Sequence, residues 1–149
     1  WAGRGLRRGA GWWRAFGVAG HLVVRGGHAL NSIAHGSFVA IDQPGRAYLA
    51  LAVYFRHAGL SEDELSPRLR ELATPRILDR ARVLGAAMRV AYILTAGQDG
   101  VLGKTPMLVS RGRLVLKLPG RYAKLTSDRL FSRVRQLARL VGREPVIES

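Results

Sequence analysis

With 149 residues, 48% of them hydrophobic, the chain can form one domain or two small units that share a core. Its 24 basic and 10 acidic residues give a net charge of +14, which favours phosphate-rich partners such as nucleic acid, polyphosphate or an anionic membrane surface, although a GC-rich genome also yields arginine-rich proteins. The absence of cysteine excludes disulfides and thiolate metal sites. The longest apolar run, Ala47–Phe55, is too short to cross a bilayer. We therefore expect a cytoplasmic protein.

Residues 1–30 differ in amino-acid composition from the rest of the chain. They contain all 3 tryptophans, many glycines and arginines, and no acidic residue. Glycine at this density opposes both helix and strand, so we predict a poorly ordered leader. Arginine interleaved with tryptophan could alternatively stack on bases or insert at a membrane interface. Because the chain starts on Trp1, we also expect that the sequence is a fragment whose first residue is not the native start. Part of this end is then expected to be translated out of frame.

Residues 31–97 predict a helical bundle. The segment Asn31–Ile41 is apolar and can form a short helix or an extended lead-in. Asp42 or Gln43 can cap a helix that runs to about His57 and stops at Gly59. After it, the segment 61–64 (SEDE) reads as a capping box that starts a further short helix.

The longest predicted helix lies between Thr74 and Gly97. Thr74 can cap it, Pro75 suits its first position, and Gly97 can adopt the left-handed conformation that ends it. The segment 85–87 (GAA) has only small side chains, so another helix can approach closely at this point. Apolar side chains recur at helical spacing at Ile77, Leu78, Ala81, Leu84, Met88, Ala91, Ile93 and Leu94.

Residues 98–149 predict a small α+β unit in the order strand, strand, helix, strand. The segments Met107–Ser110 and Leu114–Leu118 alternate as strands do, and the dipeptide 111–112 (RG) between them forms a tight turn. Thr126 or Ser127 can cap a final helix that ends at Gly142, and residues 145–148 can return as a third strand. The predicted apolar stripe of this helix comprises Leu130, Phe131, Val134, Leu137, Ala138 and Val141.

The sequence shows no catalytic set. The segment Gly97–Thr105 (GQDGVLGKT) nearly matches a Walker A loop, but its first glycine is one residue early and a helix, not a strand, precedes it, so we interpret it as a linker. The four histidines form no metal-binding spacing, and no serine, histidine and acid follow a triad pattern. We therefore expect no metal site and no cofactor within this chain.

Arginines on the predicted helices are the remaining candidates for function. Arg82 and Arg89 are seven residues apart and therefore share a face, and the final helix carries the pairs 129/133 and 135/139 at a spacing of four. Like charges at these spacings repel, and an anion opposite them would offset that repulsion. A solvated basic face and a phosphate-binding face both fit this pattern.

Five segments in order resemble the C-terminal region of the Ppx/GppA exopolyphosphatase and guanosine pentaphosphate phosphohydrolase family. The similarity covers about Asn31 to Glu148. The segments are 40–47 (AIDQPGRA), 82–92 (RVLGAAMRVAY), 100–102 (GVL), 113–116 (RLVL) and 135–138 (RQLA). Two features depart from the family pattern: Gln43 stands where histidine is frequent, and the leader replaces a helical lead-in.

The resemblance implies a mainly α fold with a small α+β unit, in which an HD-like helical bundle precedes a β-hairpin, a helix and a short strand. Composition and the predicted elements divide the chain into a leader at 1–30, a bundle at 31–97 and an α+β unit at 98–149. The resemblance also implies that the whole family enzyme removes the terminal phosphate of polyphosphate or guanosine pentaphosphate with Mg²⁺. The catalytic carboxylate and phosphate loops belong to an actin-like N-terminal half.

The function expected here is therefore a supporting one. We predict a polyphosphate-binding domain, not catalytic alone, in which Arg46, Arg82, Arg89 and Lys104 line the path of the polyanion. Two alternatives remain open, a basic nucleic-acid-binding module and a dimerisation element that joins two copies of the chain.

Overall fold

A computed structural model describes residues 42–60, 65, 70 and 73–149 of the chain. Two helices come first, α1 (Gln43–Ala58) and α2 (Pro75–Thr95), and the strands β1 (Met107–Ser110) and β2 (Arg113–Lys117) follow. Helix α3 (Asp128–Leu140) and strand β3 (Glu144–Glu148) complete the fold, and 3₁₀ turns at 102–104 and 120–125 connect these elements. The protein is thus mainly helical with a small α+β unit, as predicted. The leader, the 31–41 segment and the 61–64 capping box lie outside the described residues.

Local sequence signals explain the ends of α1. The Asp42 carboxylate accepts a hydrogen bond of 2.9 Å from the backbone N–H of Gly45, which satisfies one of the free donors of the first turn. Pro44 lies in that turn, where its missing N–H has no partner to lose. Gly59 ends the helix at φ 118°, a value that side chains rarely tolerate. The predicted helix, capped by Asp42 and ended by Gly59, is confirmed.

Helix α2 is the element on which both parts of the core rest. Thr74 caps it through its hydroxyl, and Pro75 is its first residue, as predicted. At the other end Ala96 adopts the left-handed conformation at φ 44° and Gly97 follows at φ 84°, so the turn begins one residue before the predicted glycine.

Two faces of α2 are buried, against different neighbours. The face with Leu78 and Ala81 packs in a cluster with α1, and the face with Ala86, Val90 and Leu94 packs in a cluster with β2 and α3. Met88 and Ala91, which the predicted stripe included, are only half-buried, whereas Val90, which it omitted, is 1% exposed. The stripe was partly wrong because it assumed a single buried face.

The three strands form one sheet in the order β1-β2-β3. β1 and β2 pair antiparallel through the predicted two-residue turn, in which Arg111 (φ 48°) and Gly112 (φ 77°) both have positive φ. β3 pairs parallel to β2, because α3 carries the chain back across the sheet before β3 begins. Leu114 and Leu116 of the central strand are buried in the cluster with α2 and α3.

Helix α3 packs its apolar stripe on α2 and the sheet. Leu130 and Val134 are fully buried, but Phe131 is 41% exposed, so its place in the predicted stripe was wrong. Position 131 lies at the border of the buried stripe, beyond the small buried side chain of Ala138, so its large ring extends into solvent.

The cap of α3 provides a test of how its first turn is held. The Ser127 hydroxyl accepts a hydrogen bond of 3.2 Å from the backbone N–H of Leu130. We expect Ser127→Ala to lower the free energy of unfolding by about 1 kcal/mol. Thr126→Ala is the control, because Thr126 is exposed and outside the cap. Equal effects of the two substitutions in urea unfolding would contradict the assignment of Ser127 as the cap.

Candidate anion-binding surface

Arg82 lies in the middle of α2 with its side chain packed towards α1. The guanidinium carbon is 5.7 Å from the centroid of the Phe55 ring, and the side chain is 22% exposed. Its Nη1 donates to the Asp79 carboxylate at 3.4 Å, a long contact to a residue that is itself 74% exposed. Arg82 is therefore held by packing on an aromatic ring and by a solvent-screened ion pair.

Arg46 lies near the start of α1. Its side chain is half-buried, and its Nε is buried without a hydrogen-bond partner in the described part of the chain. A buried donor without a partner is unfavourable, because it has lost its hydrogen bond to water.

Arg89 and Arg133 bring two positive charges together at the junction of α2 and α3. Arg89 projects from α2 and Arg133 from α3, the two helices pack on each other, and both side chains are half-buried. Burial lowers the pKa of Arg89 first, and the charge of Arg133 lowers it further. Arg133 donates a hydrogen bond of 3.0 Å to the side-chain oxygen of Gln136, whereas the structure gives Arg89 no carboxylate partner among the described residues.

Arg56 and Tyr92 form a second junction, between the end of α1 and the end of α2. The Arg56 guanidinium carbon lies 5.4 Å from the centroid of the Tyr92 ring, within the range of a cation–π contact. Burial lowers the pKa of Arg56, and Tyr92 opposes that shift. Tyr92 is 60% exposed, so a large part of its ring faces solvent beside an arginine.

Lys104, Arg121 and Tyr122 form a third positive group near the small sheet. Nη2 of Arg121 donates to the Tyr122 hydroxyl at 2.9 Å. This hydrogen bond lowers the pKa of Tyr122, and the charges of Arg121 and Lys104 lower it further. Lys104 is exposed at the end of the 3₁₀ turn, in the segment that was predicted as a linker between α2 and β1. Its positive charge acts on Tyr122.

The lowered pKa of Tyr122 gives a measurable reporter for this group. Because the pKa of Tyr122 is lower in the folded protein than in the unfolded chain, folding stabilises the phenolate form relative to the unfolded chain. The contribution of this interaction to the free energy of unfolding is therefore fully present above the unfolded-state pKa and is lost as the pH falls through the folded-state pKa. We expect Arg121→Gln to return the pKa of Tyr122 towards its ordinary value. A phenol titration by ultraviolet absorbance, with Tyr122→Phe to identify the transition, measures this. An unchanged transition in Arg121→Gln would contradict the assignment.

The structure does not join the four predicted site residues in one cluster. Arg82 packs on α1, Arg89 lies at the α2–α3 junction and Lys104 lies by Tyr122, while Arg46 is at the start of α1. Whether they bind a ligand stays a prediction. Helical spacing singled out Arg133 through its pair with Arg129, but it did not indicate that Arg133 lies near Arg89. Sequence patterns did not assign Arg121 or Tyr122 to the site, because their proximity to Lys104 depends on how the α+β unit folds.

The described residues bring together no group of three or more His, Cys, Asp or Glu side chains that could hold a metal ion. In the same part of the chain, no helix is both long and apolar enough to cross a membrane.

Comparison with protein families agrees with the architecture described above. A family model described as "Exopolyphosphatase, C-terminal" matches residues 5–147, and so begins within the leader that the sequence motifs left out. No curated protein matches the chain. Since the match covers nearly the whole sequence, the chain belongs to the exopolyphosphatase C-terminal family.

Proposed function

We propose that this chain binds polyphosphate and supports, without performing, the hydrolysis carried out by an exopolyphosphatase-family enzyme. The terminal phosphate of polyphosphate or of guanosine pentaphosphate would be cleaved in an actin-like half outside this chain. Mg²⁺ belongs to that half in this proposal, as the resemblance to the exopolyphosphatase family implies.

The observation that carries the proposal is the Arg89–Arg133 pair. Two half-buried guanidinium groups repel each other across the α2–α3 junction, and Arg89 has no carboxylate partner among the described residues. An anion between them would offset both the repulsion and the lost hydration. Guanidinium groups suit phosphate in particular, because their parallel N–H donors match two phosphate oxygens.

A polyanion fits the wider surface better than a single phosphate ion does. The chain has an excess of 14 positive charges, and its positive groups recur along α1, α2 and the turn before β1. Polyphosphate carries negative charge on every phosphate along its length, so one chain can contact several of these groups and release counterions at each.

The test is a competition at matched ionic strength. A labelled polyphosphate chain is bound to the protein and displaced with unlabelled polyphosphate or with duplex DNA, and the titration is repeated at several salt concentrations. We expect polyphosphate to compete at a lower concentration than DNA, with an affinity that falls as salt rises. Preference for DNA, or no detectable binding at low ionic strength, would contradict the proposal. Phosphate release by the isolated chain would contradict its supporting role.

The Tyr92–Arg56 contact favours a second candidate, the binding of single-stranded nucleic acid. An exposed aromatic ring beside an arginine can stack on a base, which polyphosphate does not have. Tyr92→Ala separates the candidates: it should weaken binding of an oligonucleotide about tenfold and leave polyphosphate binding unchanged. An oligonucleotide affinity unaffected by this substitution would remove the second candidate.

A further inference from the structure

The small sheet has two edges, and they differ in chemistry. Its order β1-β2-β3 leaves one side of β1 and one side of β3 without a neighbouring strand in the described part of the chain. The pairing register identifies the backbone groups on each open side. An open edge with free N–H and C=O groups can pair with a further strand, so proteins usually protect it.

On β1 the outward groups belong to Met107 and Val109. The N–H of Lys117 donates to the carbonyl of Pro106 at 2.9 Å, which marks 106 and 117 as a hydrogen-bonded pair. Such pairs alternate along an antiparallel ladder, so Leu108 and Ser110 bond to β2 and the two residues between them point outward. Among the residues that the structure describes, no other backbone group pairs with them.

On β3 the corresponding position is blocked. The N–H of Glu144 donates to Gly112 and the carbonyl of Glu148 accepts from Leu118, so residues 144, 146 and 148 face β2. Pro145 and Ile147 therefore point outward, and proline has no N–H to donate. Proline on an outward position is a recognised protection of an edge strand. The β1 edge has no such residue.

The side chains and charges around β1 favour a particular kind of strand. Leu108 and Val109 are 38% and 57% exposed, and β1 itself carries no charge. Between Asp99 and Asp128 every charged residue is lysine or arginine, and Arg111 and Arg113 lie at the hairpin end of the edge. A second copy of this basic chain would add like charge here, whereas carboxylates would complement it.

The sheet already contains one strand of the complementary kind. β3 has the sequence EPVIE, an apolar centre with a glutamate at each end, and it pairs with the basic-ended β2, RLVLK. In that pairing Lys117 Nζ lies 3.6 Å from Glu148 Oε2, and Arg113 stands opposite Glu144. Within this sheet, a strand with a basic residue at each end thus already pairs with an apolar strand that has a glutamate at each end.

We propose that the open edge of β1 binds an extended segment of a partner protein, apolar at its centre and flanked by carboxylates, which adds a fourth strand to the sheet. The outward N–H and C=O groups of Met107 and Val109 supply the hydrogen bonds, Leu108 and Val109 the apolar contact, and the hairpin arginines the charge. This surface is separate from the arginine pair of the proposed polyphosphate site.

The first test uses a heptapeptide of alternating threonine and valine with a glutamate at each end, added to the whole chain. Amide hydrogen exchange is followed by NMR. We expect exchange to slow at least about tenfold at Met107 and Val109, and to change little at Leu108 and Ser110, which already bond to β2. The same peptide with lysine ends is the control and should bind at least about tenfold more weakly. Unchanged exchange at Met107 and Val109 under saturating peptide, or equal binding of both peptides, would overturn the proposal.

The second test removes one outward donor. Val109→Pro deletes the outward N–H and keeps every β1–β2 hydrogen bond, so we expect at least about tenfold weaker peptide binding. Val109→Thr keeps that N–H and should bind within about twofold of the original. Equal affinity of the proline and threonine variants, both shown to be folded by circular dichroism, would overturn the proposal. So would light scattering that shows a dimer whose Met107 and Val109 amides are protected without peptide, because a second copy would then occupy the edge.

Discussion

Replacing Gly85 with alanine is expected to lower the free energy of unfolding by about 1–3 kcal/mol. The reason is a close approach of backbones: a Cβ atom at this position would lie 2.7 Å from Cβ of Phe55 and 2.9 Å from the carbonyl oxygen of Ala52. Neither atom is the end of a flexible side chain, so relief requires α1 and α2 to move apart. The helix propensity of alanine, about 1 kcal/mol better than that of glycine, offsets only part of this cost.

Gly103→Ala is the matched control for this substitution. It is the same chemical change, but a Cβ at Gly103 would meet no atom within 4 Å, and its φ lies outside the left-handed region. We expect a change within about 1 kcal/mol, in the stabilising direction if any, because alanine reduces the freedom of the unfolded chain. Urea unfolding at neutral pH measures both variants. If Gly85→Ala is as stable as the original chain, α1 and α2 do not meet closely at this residue.

The same experiment bears on the candidate site, since Gly85 precedes Arg89 by one helical turn. Displacement of α1 by the extra methyl would also move Arg56, whose backbone N lies 3.1 Å from the position that this Cβ would occupy. We therefore expect Gly85→Ala to disturb the Arg56–Tyr92 contact more than the Arg89–Arg133 pair, which depends on α2 and α3. Near-ultraviolet circular dichroism, with Tyr92→Phe to identify the contribution of Tyr92, would report the first of these.

Most elements of the fold could be predicted because each is bounded by residues with a local physical effect. Thr74 and Pro75 at the start of α2, Gly59 after α1, and the turn at 111–112 act through their own backbone and cap interactions. The close approach of α1 to α2 at Gly85 was also predictable, since only a glycine allows two helices to lie this close together. Such signals require no knowledge of the rest of the chain.

What could not be predicted depends on contacts between distant segments. The second buried face of α2 arises only when β2 and α3 pack on it, which is why the predicted stripe of α2 omits Val90. The neighbours of Arg89 and Lys104 depend on the same packing. A composition of 24 basic residues predicts an anionic partner, but it does not indicate which of those residues meet.

Neutral replacement of Arg89 or Arg133 is expected to weaken polyphosphate binding about tenfold for each substitution. Each guanidinium would lose charge-assisted hydrogen bonds to phosphate oxygens, which contribute about 1.5–3 kcal/mol, and about 1.4 kcal/mol corresponds to a factor of ten. Arg89→Gln and Arg133→Gln are suitable because glutamine keeps much of the side-chain length. Arg89→Lys should be intermediate, since it keeps the charge but loses the planar fork.

The controls lie on the same two helices. Arg80→Gln on α2 and Arg135→Gln on α3 remove the same charge from exposed positions, so they should change the affinity by no more than about twofold. The double variant Arg89→Gln/Arg133→Gln should lose less than the product of the single effects if both arginines hold the same phosphate. Fluorescence titration at constant ionic strength measures the affinity of every variant in the set.

Stability supplies an independent readout of the same pair. In the absence of an anion, removing one of two half-buried like charges should leave the free energy of unfolding unchanged or raise it, because the repulsion between Arg89 and Arg133 disappears. Polyphosphate should then stabilise the original chain more than either variant, since tighter binding to the folded state gives more stabilisation at a given ligand concentration. If all four single glutamine variants bind equally well, the positive surface acts only through its total charge, and the Arg89–Arg133 pair is not a binding site.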